Sequence, residues 1–93
     1  EAGKFDRADH IAFVDQASIA FYQQGDIETA HNFIDQALTL APGDHYALSL
    51  KAEILVAKGL TSEALATYQK AIRLAPFARA YENRLADITP AVQ

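Results

Sequence analysis

The side chains of this sequence best suited to chemistry are three histidines, three serines and a scatter of carboxylates, and their spacing argues against an active site. A zinc centre needs ligands one helical turn apart or paired cysteines. His10, His31 and His45 do not pair at that spacing, there is no H-E-x-x-H run, and the chain has no cysteine. Ser18, Ser49 and Ser62 have no base beside them in the local sequence, so none reads as an activated nucleophile. Gly25 and Gly59 are isolated, which leaves no glycine-rich loop to cradle a phosphate. His45 follows Asp44 at a helix start and reads as cap or surface polarity. The expectation is a protein that is not an enzyme, with no catalytic residues, no cofactor and no metal.

The elements that carry these residues emerge from an internal repeat. A shift of 34 residues superimposes Gly25 on Gly59, Ala30 on Ala64, Ala37 on Ala71, and Leu40-Ala41-Pro42 on Leu74-Ala75-Pro76. Similar pairs follow the same shift: Ser18 with Ala52, Gln36 with Lys70, Leu38 with Ile72. A third unit begins where Ala52 maps to Ala86. The chain therefore divides into an N-terminal extension or helix start (1–10), a first repeat (11–44), a second (45–78), and a capping helix or partial third repeat (79–93).

Each repeat reads as two helices. Asp9 is placed to cap the first, which carries Ile11, Val14, Ala17 and Phe21 at helical spacing. Gly25 ends it and Asp26 caps the second, with Ala30, Phe33, Ile34, Ala37 and Leu38 turned inward before Pro42-Gly43. The pattern returns with Asp44 as cap, Gly59 as terminator and Thr61 as the next cap. A last helix is expected over 77–89. No segment alternates as a strand. The fold class is all-α, a solenoid of helical hairpins with about five helices. Ser18, Ala52, Ala30 and Ala64 are the small residues that let helices cross closely.

Composition limits the function further. Half of the 93 residues are apolar, enough for one modest core and too many for a disordered chain. The apolar stretches are broken by charge well short of a bilayer span, so no membrane insertion is expected. The net charge of −4 is lopsided. Residues 1–44 hold two bases (Lys4, Arg7) against eight acids; residues 45–93 hold six bases against four acids. An acidic front half is the wrong surface for nucleic acid. The opposite signs also suit head-to-tail contact between copies or with flanking repeats. The chain opens at Glu1 rather than Met, as a segment of a longer protein would.

The 34-residue period, the recurring small residues and the proline after each second helix resemble the tetratricopeptide repeat family, over about 80 of the 93 residues. The family's aromatic, Leu-Gly and Tyr slots hold Val14, Ala17, Ser18 and Phe21 in the first repeat, and Leu48, Lys51, Ala52 and Leu55 in the second. Lys51 fits least well and is expected to lay its stem across the hairpin with its ammonium in water. The period favours this family over other helical repeats.

The resemblance implies a non-catalytic protein–protein interaction scaffold whose first helices line a concave groove. The alternative is a structural or self-assembling segment of a longer repeat array or multidomain protein, with homo-oligomers formed by repeat stacking. Groove positions in the first repeat are Ala12, Asp15, Ile19, Tyr22 and Gln23. In the second they are Tyr46, Ser49, Glu53 and Val56, and in the last helix Asn83, Arg84 and Asp87. Tyr22 and Tyr46 are the expected anchors, because aromatics in a polar groove carry a large share of binding energy. Some family members clamp acidic chaperone tails with Lys, Asn and Arg side chains. Those slots here hold Asp15, Ile19, Leu50 and Ala80, and only Arg84 matches. A protein or peptide partner that is neutral or basic rather than acidic is expected. Phe5 and the segment 1–8 either fold back over the first hairpin or belong to a preceding element.

Overall fold

The computed structural model describes residues 7–90. Five α-helices follow one another: α1 (Arg7–Ser18), α2 (Ile27–Leu40), α3 (His45–Ala57), α4 (Thr61–Leu74) and α5 (Arg79–Ile88). Among the described residues there is no strand, and no helix is long and apolar enough to cross a membrane. The all-α expectation holds. Helix α1 packs on α2 and α3 on α4, two hairpins joined through α2 against α3, and α5 lies against α4. Phe5 lies outside the described residues.

Alanine makes these contacts possible. Ala17, Ala30, Ala37, Ala52, Ala64 and Ala71 have no exposed surface at all. Their small side chains let the helices approach to the roughly 8–10 Å that close crossings require. Ile34, Ile54 and Leu55, the largest fully buried side chains, fill the space beside them. Helix α3 is central and is buried on most of its circumference, as a helix between two neighbours must be.

Polar contacts tie the hairpins together. His10 Nε2 lies 2.5 Å from Asp44 Oδ2, Lys51 Nζ lies 2.8 Å from Asp35 Oδ1, and Lys58 Nζ lies 2.9 Å from His31 Nδ1 and 3.3 Å from Glu28. Lys51, the residue that fits its slot least well, thus reaches the neighbouring hairpin rather than crossing its own. Ile11, expected on the inward face of α1, is half exposed.

The caps divide into those the sequence identifies and those it misplaces. Asp26 accepts from the Thr29 amide at 3.1 Å and from its hydroxyl at 2.8 Å. Asp44 accepts from the amides of Tyr46 and Ala47. Asp9 is not a cap, because α1 already begins at Arg7; it sits in the first turn, where its charge still favours the helix dipole. Thr61 is the first residue of α4, and Leu60 takes the cap position with no side-chain bond. The last helix starts two residues later than expected, at Arg79, after Ala78.

Both hairpin turns use a left-handed glycine, Gly25 at φ 66° and Gly59 at φ 82°. At Gly59 the ending is a Schellman pair: the Leu60 amide donates to Leu55 O at 2.9 Å and the Gly59 amide to Val56 O at 3.0 Å. The first hairpin differs. Residues Ile19–Gln23 form a π-helical turn, and the Asp26 amide reaches back to Ala20 O at 2.8 Å, one residue further than its counterpart. Phe21 and Tyr22 pack edge to face within that turn, ring centres 4.8 Å apart.

A Cβ on Gly59 would meet nothing within 4 Å, so the cost of a side chain there is conformational alone. Gly59→Ala should lose roughly 1–2 kcal/mol. Gly43, which has open space and no left-handed φ, should tolerate alanine within about 0.5 kcal/mol. Urea midpoints at unchanged slope provide the comparison.

Candidate functional site

Tyr46, Ser49, Leu50 and Glu53 recur along α3 at intervals of three to four residues and so share one stripe of the helix. The π-helical turn brings Tyr22 to the same side, α4 contributes Tyr68, and α5 contributes Ala80, Tyr81 and Arg84. Together they line one open cavity of about 310 Å³.

At its centre is a charge pair. Arg84 donates from Nε to Glu53 Oε2 at 2.6 Å and from Nη2 to Oε1 at 3.0 Å. The Tyr68 hydroxyl donates to the same Oε2. The pair is partly exposed, with 40 % of the Arg84 side chain and 22 % of the Glu53 side chain accessible. Beside it, Tyr81 shares a hydrogen bond of 2.9 Å with His45 Nδ1, and its ring lies 6.3 Å from that of Tyr68. Ser49 spends its hydroxyl on Tyr46 O at 2.7 Å. His45 is thus more than cap polarity: it joins α3 to α5, with its ring edge-on to Phe77 as well.

The titration of these groups follows from the contacts. Burial alone would raise the Glu53 carboxyl, but the Arg84 and Tyr68 hydrogen bonds and the Arg84 charge outweigh it and hold the group below its ordinary value. Burial and then the Glu53 carboxylate push the Tyr68 phenol upward. Partial burial, then the Glu53 charge, raises the Tyr22 phenol as well, so Tyr22 feels the same centre. The cavity contains one carboxylate and one guanidinium that cancel, surrounded by four phenols. Among the described residues no group of three His, Cys, Asp or Glu side chains could hold a metal ion.

Of the groove positions read from the sequence, Tyr22, Tyr46, Ser49, Glu53 and Arg84 come together here. Tyr22 is 65 % exposed and Tyr46 51 %, whereas Ser49 is buried. Ala12, Asp15, Gln23, Asn83 and Asp87 are exposed, Ile19 and Val56 are partly buried, and none of these lines the cavity. Leu50 and Ala80, which stand in slots of the chaperone-tail clamp, also line it, and two further lining residues, Tyr68 and Tyr81, were not foreseen as groove residues. Leu50 and Ala80 fall on the same helix stripes as their neighbours. Tyr68 follows Ala64 by one helical turn on the inward face of α4, and its ring is buried. The clue was its hydroxyl, because a buried tyrosine in place of an aliphatic must find a polar partner. Tyr81 gave the same clue.

Because the Glu53 carboxyl titrates lower in the folded chain than in the unfolded one, it contributes stability that is fully present above about pH 4.5 and is lost as pH falls through its lowered value. Glu53→Gln keeps an acceptor for Tyr68 but has no proton to take up. Chemical denaturation from pH 7 down to about pH 3 should therefore show a shallower loss of stability in the variant: wild type is the more stable above about pH 4.5, and the two curves converge below it.

The Tetratricopeptide repeat family matches residues 16–79, from within α1 to the start of α5. No curated protein matches the chain. The matched span holds both left-handed glycines, the fully buried alanines and the prolines that end α2 and α4. The chain belongs to the tetratricopeptide repeat family, whose repeats generally mediate contacts between proteins.

Proposed function

We propose that this chain is a non-catalytic scaffold that holds an extended peptide or a partner helix in the cavity between α3 and α5. The observation that carries the reading is the exposure of Tyr22 and Tyr46 on the rim of a concave, charge-balanced surface. Large aromatic side chains left in water at the mouth of a cavity are the residue type that most often anchors a protein interface. The remaining wall offers rings, hydroxyls and a guanidinium rather than a nucleophile and a base. The polar outward residues of α5, Glu82, Asn83 and Asp87, support its role as a cap on the second repeat.

The test begins with a peptide array probed with the wild-type chain, followed by affinity measurement of the strongest peptide. Tyr22→Ala/Tyr46→Ala should weaken binding by roughly tenfold or more. Circular dichroism should be unchanged, since both rings are largely in solvent. Equal affinity of the two proteins would remove the groove from consideration.

A second reading has its own observation. On the other side of the second hairpin, Pro42, Leu48, Lys70, Arg73 and Leu74 line a cleft of about 300 Å³. Lys70 and Arg73 form no ion pair among the described residues. Leu74 is exposed beside them, and the front half of the chain carries the excess of acids. That complementarity favours stacking of copies or of flanking repeats as an additional or alternative role. Sedimentation should then show association that grows with protein concentration and weakens with salt; a monomer at every concentration and salt level would dismiss it.

A further inference from the structure

Among the described residues Arg84 is the one cation that lines the cavity, and Glu53 already holds it. The bidentate contact uses the Nε–Nη2 edge of the guanidinium and leaves Nη1, with two N–H donors, outside the pair. With 40 % of its side chain accessible, Arg84 can still donate to an arriving acceptor. The charge of that acceptor then decides the outcome. A peptide carbonyl is neutral and adds a hydrogen bond at little electrostatic cost. A carboxylate must share one guanidinium with Glu53, and two carboxylates so close repel each other by on the order of tenfold to a hundredfold in affinity at partly screened dielectric. A cation fares no better, because Arg84 neutralises the one carboxylate in the cavity and meets the newcomer with like charge. Tyr22, Tyr46 and the half-buried Tyr81 supply faces and edges for proline, aliphatic or aromatic side chains, as in surfaces that take extended polyproline-type segments.

We propose that the cavity selects an uncharged extended segment, and that Glu53 is the specificity-determining residue, an internal counter-ion that closes Arg84 to carboxylates. This rests on the groove reading above and names the partner that the same cavity takes. Glu53 also helps fasten α5 to α3, so a purely structural role for the pair is the competing account. The two accounts differ in what happens to ligand choice when the counter-ion is removed.

The experiment uses three hexapeptides of alternating proline and leucine with blocked termini: one unaltered, one with two leucines replaced by aspartate, one with the same two replaced by lysine. Wild-type chain should bind the unaltered peptide about tenfold tighter than the aspartate form. Glu53→Gln, which keeps the acceptor for Tyr68, should raise affinity for the aspartate peptide relative to the unaltered one by about tenfold or more. The double variant Glu53→Gln/Arg84→Gln should lose that gain. A Glu53→Gln chain that gains nothing toward the aspartate peptide, or whose gain survives loss of Arg84, overturns the proposal. Arg84→Gln tests the mirror case and serves alone if Glu53→Gln fails to fold. It leaves Glu53 uncompensated and should raise affinity for the lysine peptide by about tenfold, and no rise would again overturn the proposal. Tyrosine-dependent binding of the unaltered peptide without any switch in Glu53→Gln would spare the groove and refute the filter. A switch without binding of the unaltered peptide to wild type would keep Arg84 as a ligand contact but overturn the selection of an uncharged segment.

Discussion

The architecture depends on the closeness of its helices, and that closeness depends on alanine. Where Ala30 and Ala64 have no exposed surface, there is no room for a larger side chain unless the hairpin opens. Overpacking of such a site costs roughly 1–3 kcal/mol. The same constraint reaches the functional surface. Helix α3 must bury Ala47, Leu48, Ala52, Ile54 and Leu55 against its neighbours. What remains for the cavity is the stripe through Tyr46, Ser49 and Glu53. The groove is the part of α3 that packing leaves over, and its contents are therefore few.

Those few side chains settle the electrostatics. A lone glutamate in the cavity would invite cations, and a lone arginine would invite anions. Because Glu53 and Arg84 bond each other in two places with Tyr68 as a third partner, the cavity presents fixed dipoles and aromatic surface with no net charge. The excess of acids in the front half and of bases in the back half lies elsewhere on the molecule. Asp15, which stands in a clamp slot, is exposed and does not line the cavity. Glu53 does oppose acidic ligands, but through its hold on Arg84.

The fold was legible because backbone-special residues mark it. Gly25 and Gly59 take the left-handed conformation that their isolated positions implied, and Asp26 and Asp44 cap the helices that follow them. Asp9 and Thr61 misled because a cap-forming residue type within the first three residues of a helix looks the same in sequence as one at its edge. The π-helical turn at Ile19–Gln23 left no local mark: all five residues differ from their counterparts Glu53, Ile54, Leu55, Val56 and Ala57, but none is a glycine or proline that would single the turn out. In the candidate site the stripes were legible from helical period. The partners were not, since the joining of Glu53 to Arg84 and of His45 to Tyr81 spans more than thirty residues and depends on how α5 settles.

The most direct measurement of the central claim is residue-resolved. An amide-correlation NMR titration of the isotopically labelled chain with its best-binding peptide would show where contact occurs. The predicted result is that the largest shifts fall on Tyr22, Tyr46, Ser49, Glu53 and Arg84, with those of Gln36, Thr39, Lys70 and Arg73 nearly still. Shifts confined to Gln36, Thr39, Lys70 and Arg73, with the cavity unmoved, would contradict the account.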